Sequence, residues 1–247
     1  MSTKNELIQA AGRIDEISKR ASSAFLGGES FEKALVVAQS IGELKAALTD
    51  EVMRPIMELM NTPLGFMTDQ DPKRPSTNNP KPEPYTVEIV RDCFIEGRLR
   101  GFFPVGNEMN IIAGRFYGAL AGFERIVRNH PKVTDFKDTY EVPRRAGSGD
   151  AEGALVKCRA EWKQDRVKQT LEREFAVRIN RGMGTDAIVG KAKRKLFAAV
   201  LSRLTGVVTP EGDATDVEHL KSANPPAPGA ATAEDLFSKN GGAKKDK

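Results

Sequence analysis

Apolar residues recur at helical spacing through the first sixty positions. Phe31, Ala34, Leu35, Ala38, Ile41 and Leu44 follow the i, i+3, i+4 pattern of an amphipathic helix. Pro55 stands where a second short helix would start or kink. Residues 63–84 hold six of the 14 prolines and predict a loop or linker rather than a helix or central strand. Apolar spacing resumes at Tyr85. Val87, Ile89, Val90, Cys93 and Phe94 predict a helix closed at Gly97. Phe102-Phe103-Pro104-Val105 reads as strand, Gly106-Asn107 as turn, and Met109 to Phe116 as strand again. Residues 101–117 thus predict a β-hairpin. Leu120, Phe123, Ile126 and Val127 fit a helix ended by Asn129-His130-Pro131.

Downstream the period changes to two. Thr134, Phe136, Asp138, Tyr140 and Val142 share one parity. After a flexible Arg144–Asp150 turn, Ala154, Val156, Cys158, Ala160 and Trp162 share another. The alternate positions Leu155, Lys157, Arg159, Glu161 and Lys163 are mostly charged, as for a strand with one buried face. Residues 165–180 read as helix, although Phe175, Val177 and Ile179 also suit a short strand. Gly182-Met183-Gly184 breaks the chain, and Thr185 is placed to cap a helix running to about Leu204, with Gly206 as its stop. On that helix Ile188, Val189, Ala192, Leu196, Ala199 and Val200 form an apolar arc. Lys191, Arg194 and Lys195 form a stripe expected to face solvent. From residue 207 onward Pro, Ala and Gly predict a disordered tail with one acidic-hydrophobic island, Ala233–Ser238.

The expected fold class is therefore α+β. A small antiparallel sheet, made of the hairpin and two strands, packs with helices. Residues 1–62 form a helical segment suited to subunit contact, 63–84 a linker, 85–206 the core and 207–247 the tail.

Composition adds little: 39% of the 247 residues are hydrophobic and 29% charged, ordinary for a globular protein. No apolar run reaches the roughly 18 residues of a membrane span. Met1–Gln9 lacks the apolar core of a signal peptide, so a cytoplasmic protein is expected. Cys93 and Cys158 sit among apolar neighbours and read as free buried thiols. With only two histidines a zinc site is improbable.

Charge changes the picture more. Residues 144–203 carry 15 Lys and Arg against 7 Asp and Glu, whereas the segments on either side are each slightly acidic. So local an excess points to a polyanion, above all nucleic acid. Enzyme chemistry finds no support. Gly184–Lys191 mimics a phosphate loop, but its glycines are one residue too far apart, and Ala192 stands where a magnesium-binding hydroxyl belongs. Asp150, Glu152 and Glu161 do not share the faces that a metal-dependent nuclease needs, and no Ser-His-Asp or Cys-His arrangement exists. Binding a nucleic-acid backbone needs grouped cations with stacking groups beside them. Arg144 and Arg145 in the turn, Lys157, Arg159 and Lys163 on the strand, and Lys191, Arg194 and Lys195 on the helix supply the cations. Tyr117 beside Arg115, and Tyr140, are the stacking candidates.

Several segments resemble phage single-strand annealing proteins of the RecT/Red-beta family. They are Gly106–Arg115 (GNEMNIIAGR), the Phe116-Tyr117-Gly118 step into a helix, the Arg178–Lys195 run (RINRGMGTDAIVGKAKRK) and the closing helix to Gly206. The resemblance implies a strand-and-helix core that assembles into rings or helical filaments and binds single-stranded DNA and the nascent duplex without ATP. It implies no catalytic residue, no required cofactor beyond magnesium as an aid to DNA binding, and a bacterial host cytoplasm. It also adds Arg178 and Arg181 to the DNA-binding set. A phage exonuclease or a host single-strand-binding protein would dock on the tail. The alternative is a nucleic-acid-binding or architectural protein that does not promote pairing.

Overall fold

The computed structural model describes residues 4–26, 30–75, 79–146, 153–179 and 183–212. The fold is α+β, with six helices and two small sheets among the described residues.

Helices α1 (Lys4–Leu26) and α2 (Phe31–Ala47) form an antiparallel pair. The Ser30 hydroxyl accepts from Lys33 N at 3.2 Å and caps α2. Helix α3 (Asp50–Met57) follows, and the predicted Pro55 lies inside it. Ile14, Ile17, Ala21, Leu44, Leu48 and Met53 are buried in the same core as α4 (Val87–Leu99). An Arg98–Asp15 ion pair at 3.0 Å adds a tie from α4 to α1. The N-terminal helices thus pack on the core rather than standing apart from it.

The proline-rich stretch carries a two-residue strand, β1 (Met67–Thr68), parallel to β2 (Met109–Ile112), which pairs antiparallel with β3 (Arg115–Gly118). β1 is an edge strand, as its neighbouring prolines require. The hairpin turn falls at Ala113-Gly114, both at positive φ (51° and 71°), and not at Gly106-Asn107. Around this turn the Tyr85 hydroxyl donates to Asp69 Oδ1 at 2.6 Å and accepts from Gly114 N at 2.8 Å. Asp69 Oδ2 accepts from Ala113 N at 3.2 Å.

Residues 102–105 are not a strand. The run is apolar because Phe102 fills the core, edge-on to Phe116 and Phe123 with centroids 5.3 and 5.1 Å away. The Phe102 ring lies against Gly122 of α5 (Leu120–Arg128). A Cβ at Gly122 would collide with that ring and come 2.6 Å from the Glu108 carbonyl oxygen. Gly122→Ala is therefore expected to cost about 2 kcal/mol through overpacking. Thermal denaturation checks it, and an unchanged midpoint would show that the ring can move aside.

The second sheet contains β4 (Val133–Tyr140), β5 (Arg144–Ala146), β6 (Gly153–Gln164) and β7 (Val167–Arg178). β6 is central: β4 and β5 share one of its edges, and β7 takes the other. β7 replaces the helix expected over 165–180. Asp165 and Arg166, both at positive φ (51° and 68°), make a two-residue turn that registers β7 on β6 along its whole length. Once paired, Leu171, Phe175 and Val177 fall opposite Ala160, Val156 and Ala154, and the apolar sides merge. A bulge between Thr134 and Lys137 keeps both Val133 and Phe136 on that apolar side.

Helix α6 (Thr185–Thr205) covers this side. Ile188, Ala192, Leu196, Phe197, Val200 and Leu201 are buried beneath it with Trp162. Gly184, not Thr185, is its N-cap, and Gly206 at φ 73° is the predicted stop. The chain then turns back. Glu211 bridges in parallel to Gly118, and Gly118 N donates to the Pro210 carbonyl at 2.9 Å. Asn110 Nδ2 donates to the Gly212 carbonyl at 2.9 Å. Residues 207–212 are thus an ordered strap along β3, whereas the sequence pattern places the tail from 207 onward. Ala233–Ser238 lies outside the described residues.

Candidate nucleic-acid interface

With α6 on one side of the second sheet, the other side is open among the described residues. The strict parity of β6 decides what stands there. Ala154, Val156, Cys158, Ala160 and Trp162 are buried, while Lys157, Arg159 and Lys163 are exposed. Cross-strand register extends the open face in both directions. Arg144 of β5 lies opposite Leu155, Lys168 of β7 opposite Lys163, and Arg178 opposite Gly153. Lys137 of β4 lies opposite Glu161. Lys157 and Arg159, two residues apart on β6, stand roughly 7 Å apart, and the cations of β4, β5 and β7 spread positive charge over all four strands.

Carboxylates are interleaved with them. Lys157 Nζ is 2.8 Å from Glu172 and 3.5 Å from Glu141. Arg159 pairs with Glu161 and lies 3.7 Å from Glu172, and Arg144 pairs with Glu174. Lys163 reaches Asp135 at 2.6 Å, and Lys168 reaches Glu161 at 3.4 Å. The hydrogen bond from Lys157 holds the Glu172 carboxyl below its ordinary range, and the one from Arg159 does the same for Glu161. Lys157 and Lys163 are raised by the same bonds seen from the other side, to Glu172 and Asp135.

The helix stripe is elsewhere and is not exposed. Lys191 and Arg194 are 8% and 7% accessible, and Glu211 of the 207–212 strap lies against the stripe at Arg194 and Lys195. Arg194 Nε lies 2.5 Å from Glu211 Oε2, and Lys195 Nζ lies 3.0 Å from Glu211 Oε1. Burial alone would raise the Glu211 carboxyl, but Arg194 and Lys195 outweigh it and hold the pKa below the usual value. Strand cations and helix cations therefore sit on opposite sides of the second sheet, and they do not form one continuous trough.

The remaining candidates divide. Arg145 lies opposite Ala154, on the other side of β5 from Arg144. Arg115 is exposed at the hairpin turn of the first sheet. Tyr117 is buried at 8% accessibility opposite Asn110 and offers no stacking surface. Tyr140 is half-buried toward the core and donates to Asp138 Oδ2 at 2.7 Å. Arg181 lies outside the described residues. Among the described residues, register places no aromatic side chain on the open face of β4–β7. That face offers charged contacts and no stacking surface.

Sequence reasoning missed Lys137 and Lys168. Lys137 lies on the β4 parity opposite Asp138 and Tyr140, and Lys168 fell in the segment read as helix. The Asp165-Arg166 turn between two alternating runs was the signal that could have found Lys168.

No group of His, Cys, Asp and Glu among the described residues is arranged to hold a metal ion. Burial pushes the Cys93 thiol up to about 12 and the Cys158 thiol to about 11, which suits inert core cysteines. No helix among the described residues is long and apolar enough to cross a membrane. No protein-family model, curated protein or solved structure matches the chain.

Proposed function

We propose that this protein binds the backbone of single-stranded DNA on the open face of its second sheet and anneals complementary strands without ATP. The observation that carries the binding half is the row of cations at Lys157, Arg159, Lys163 and Lys168, on a sheet face that no helix among the described residues covers. The RecT/Red-beta resemblance carries the annealing half.

The physics joins the two. Phosphates of two approaching strands repel, and a row of cations lowers that repulsion. Contacts made to phosphate leave base edges free, so the incoming strand supplies the sequence reading. Copies of the chain arranged side by side, in a ring or filament, would sum weak contacts into tight binding. Magnesium would assist by screening phosphates. A partner exonuclease or single-strand-binding protein would dock through Ala233–Ser238. No catalytic step is needed.

The test uses purified full-length protein, no nucleotide, and two complementary oligonucleotides with a fluorophore and a quencher. The expected result is faster quenching than by spontaneous pairing at low salt, with or without magnesium. Binding without acceleration would favour an architectural role instead, and neither binding nor acceleration would end the nucleic-acid reading.

A further inference from the structure

The open face carries nearly as many carboxylates as cations, and their placement is specific. Glu172 lies directly across from Arg159 and reaches Lys157 at 2.8 Å, while Glu174 lies across from Lys157 and pairs with Arg144. Glu172 therefore touches two cations of the proposed phosphate row, and Glu174 touches a third on another strand. All of these groups are at least about a third exposed, with Glu172 at 41% and Glu174 at 37%. Pairs this exposed add little to stability, so folding alone does not call for them.

We propose that Glu172 and Glu174 are built-in counter-anions that compete with nucleic-acid phosphate for Lys157, Arg159 and Arg144. This rests on the binding face proposed above and says how that face is regulated. A phosphate that arrives must displace a carboxylate, and a carboxylate is at hand whenever a phosphate leaves. Binding at each subunit is thereby weakened and exchange is kept fast. A surface that must let two strands slide into register needs that behaviour, because a purely cationic face would hold mispaired strands in place.

The exchange also leaves a thermodynamic signature. When phosphate displaces a carboxylate, the freed carboxylate gathers its own cation from solution. That uptake offsets part of the counterion release that drives binding, so the salt dependence of wild-type binding is shallower than its cation count implies.

The experiment measures fluorescence anisotropy of a labelled oligothymidylate with full-length wild type, E172Q, E174Q and E172Q/E174Q across a sodium chloride series. Folding of each is checked by circular dichroism. The expected result is about tenfold tighter binding by the double variant, with a steeper salt slope. Each single variant falls between, which keeps the test open if the double variant fails to fold. Annealing of mismatched pairs should rise relative to matched pairs.

Equal or weaker binding by folded variants, with wild type binding normally, overturns the counter-anion role and leaves the binding face standing. Binding by the double variant alone supports the role in its strongest form. Absence of binding by all four proteins overturns the binding face itself, and this inference with it.

Discussion

Replacing Lys157, Arg159 and Lys163 together by glutamine is expected to weaken single-stranded DNA binding by on the order of 100-fold at moderate salt. The slope of log affinity against log salt should fall by less than about three, because three phosphate contacts are lost but the carboxylates that phosphate displaces from these cations already offset part of their salt dependence. The fold should survive, because these side chains are 45%, 48% and 53% exposed and their ion pairs are surface pairs. Glutamine is preferable to glutamate here. Reversal would set new carboxylates beside Glu172 and Glu174 and destabilise the strand pair for reasons unrelated to DNA. Anisotropy titrations over several salt concentrations, with a thermal melt beside them, read both effects. Unchanged affinity and slope in a folded variant would move the interface to another surface.

The second large effect lies on the opposite side of the sheet. Glu211→Ala is expected to cost about 3 kcal/mol, because it removes the carboxylate from beside an Arg194 side chain that is 8% exposed. For a chain of this size the melting midpoint should fall by about 6–12 °C. The double change Arg194→Met with Glu211→Leu should recover much of that loss, since replacing both partners of a buried pair removes the desolvation cost as well. Substituting Lys191, Arg194 and Lys195 together by glutamate should unfold the strap and much of α6, an effect on stability rather than on a DNA contact. A chain ended at Gly206 loses Glu211 and the Gly118–Pro210 hydrogen bond, whereas one ended at Gly212 keeps both. A melting midpoint indifferent to Glu211 would show that the strap is only laid against β3, not holding it.

These two surfaces show what could be read from the chain and what could not. The α+β class and the β6 strand were legible because Ala154 to Trp162 alternate without interruption, and period two has few competing explanations. α4, α5 and α6 were legible for the matching reason at period 3.6, and Gly206 marked a true end, whereas Gly97 did not: α4 runs through it to Leu99, and Gly101 is the glycine at positive φ. β7 was not, because Phe175, Val177 and Ile179 compete with a helical reading until pairing to β6 decides between them. The hairpin was displaced because an apolar Phe102-Phe103 pair looks like strand whether it lies in a sheet or plugs a core. Lys191 and Arg194 were misjudged for a different reason. A helical wheel knows only the helix, and the strap whose Glu211 pairs with Arg194 and Lys195 is six residues of chain with no periodicity. Tyr117 failed likewise: strand parity says that alternate residues point to different sides, but Phe116 and Tyr117 are both buried, so both sides of β3 are covered. The cation row on β6 was visible in sequence, but its carboxylate partners on β7 were not, since cross-strand register is a tertiary fact.

The strap also fixes a point of departure. Gly212 is held beside Gly118 and Asn110 on the three-stranded sheet, so anything joined to the chain after that residue leaves from there. A fluorescent protein or affinity handle fused downstream would be anchored at β3, on a different sheet from the cation row.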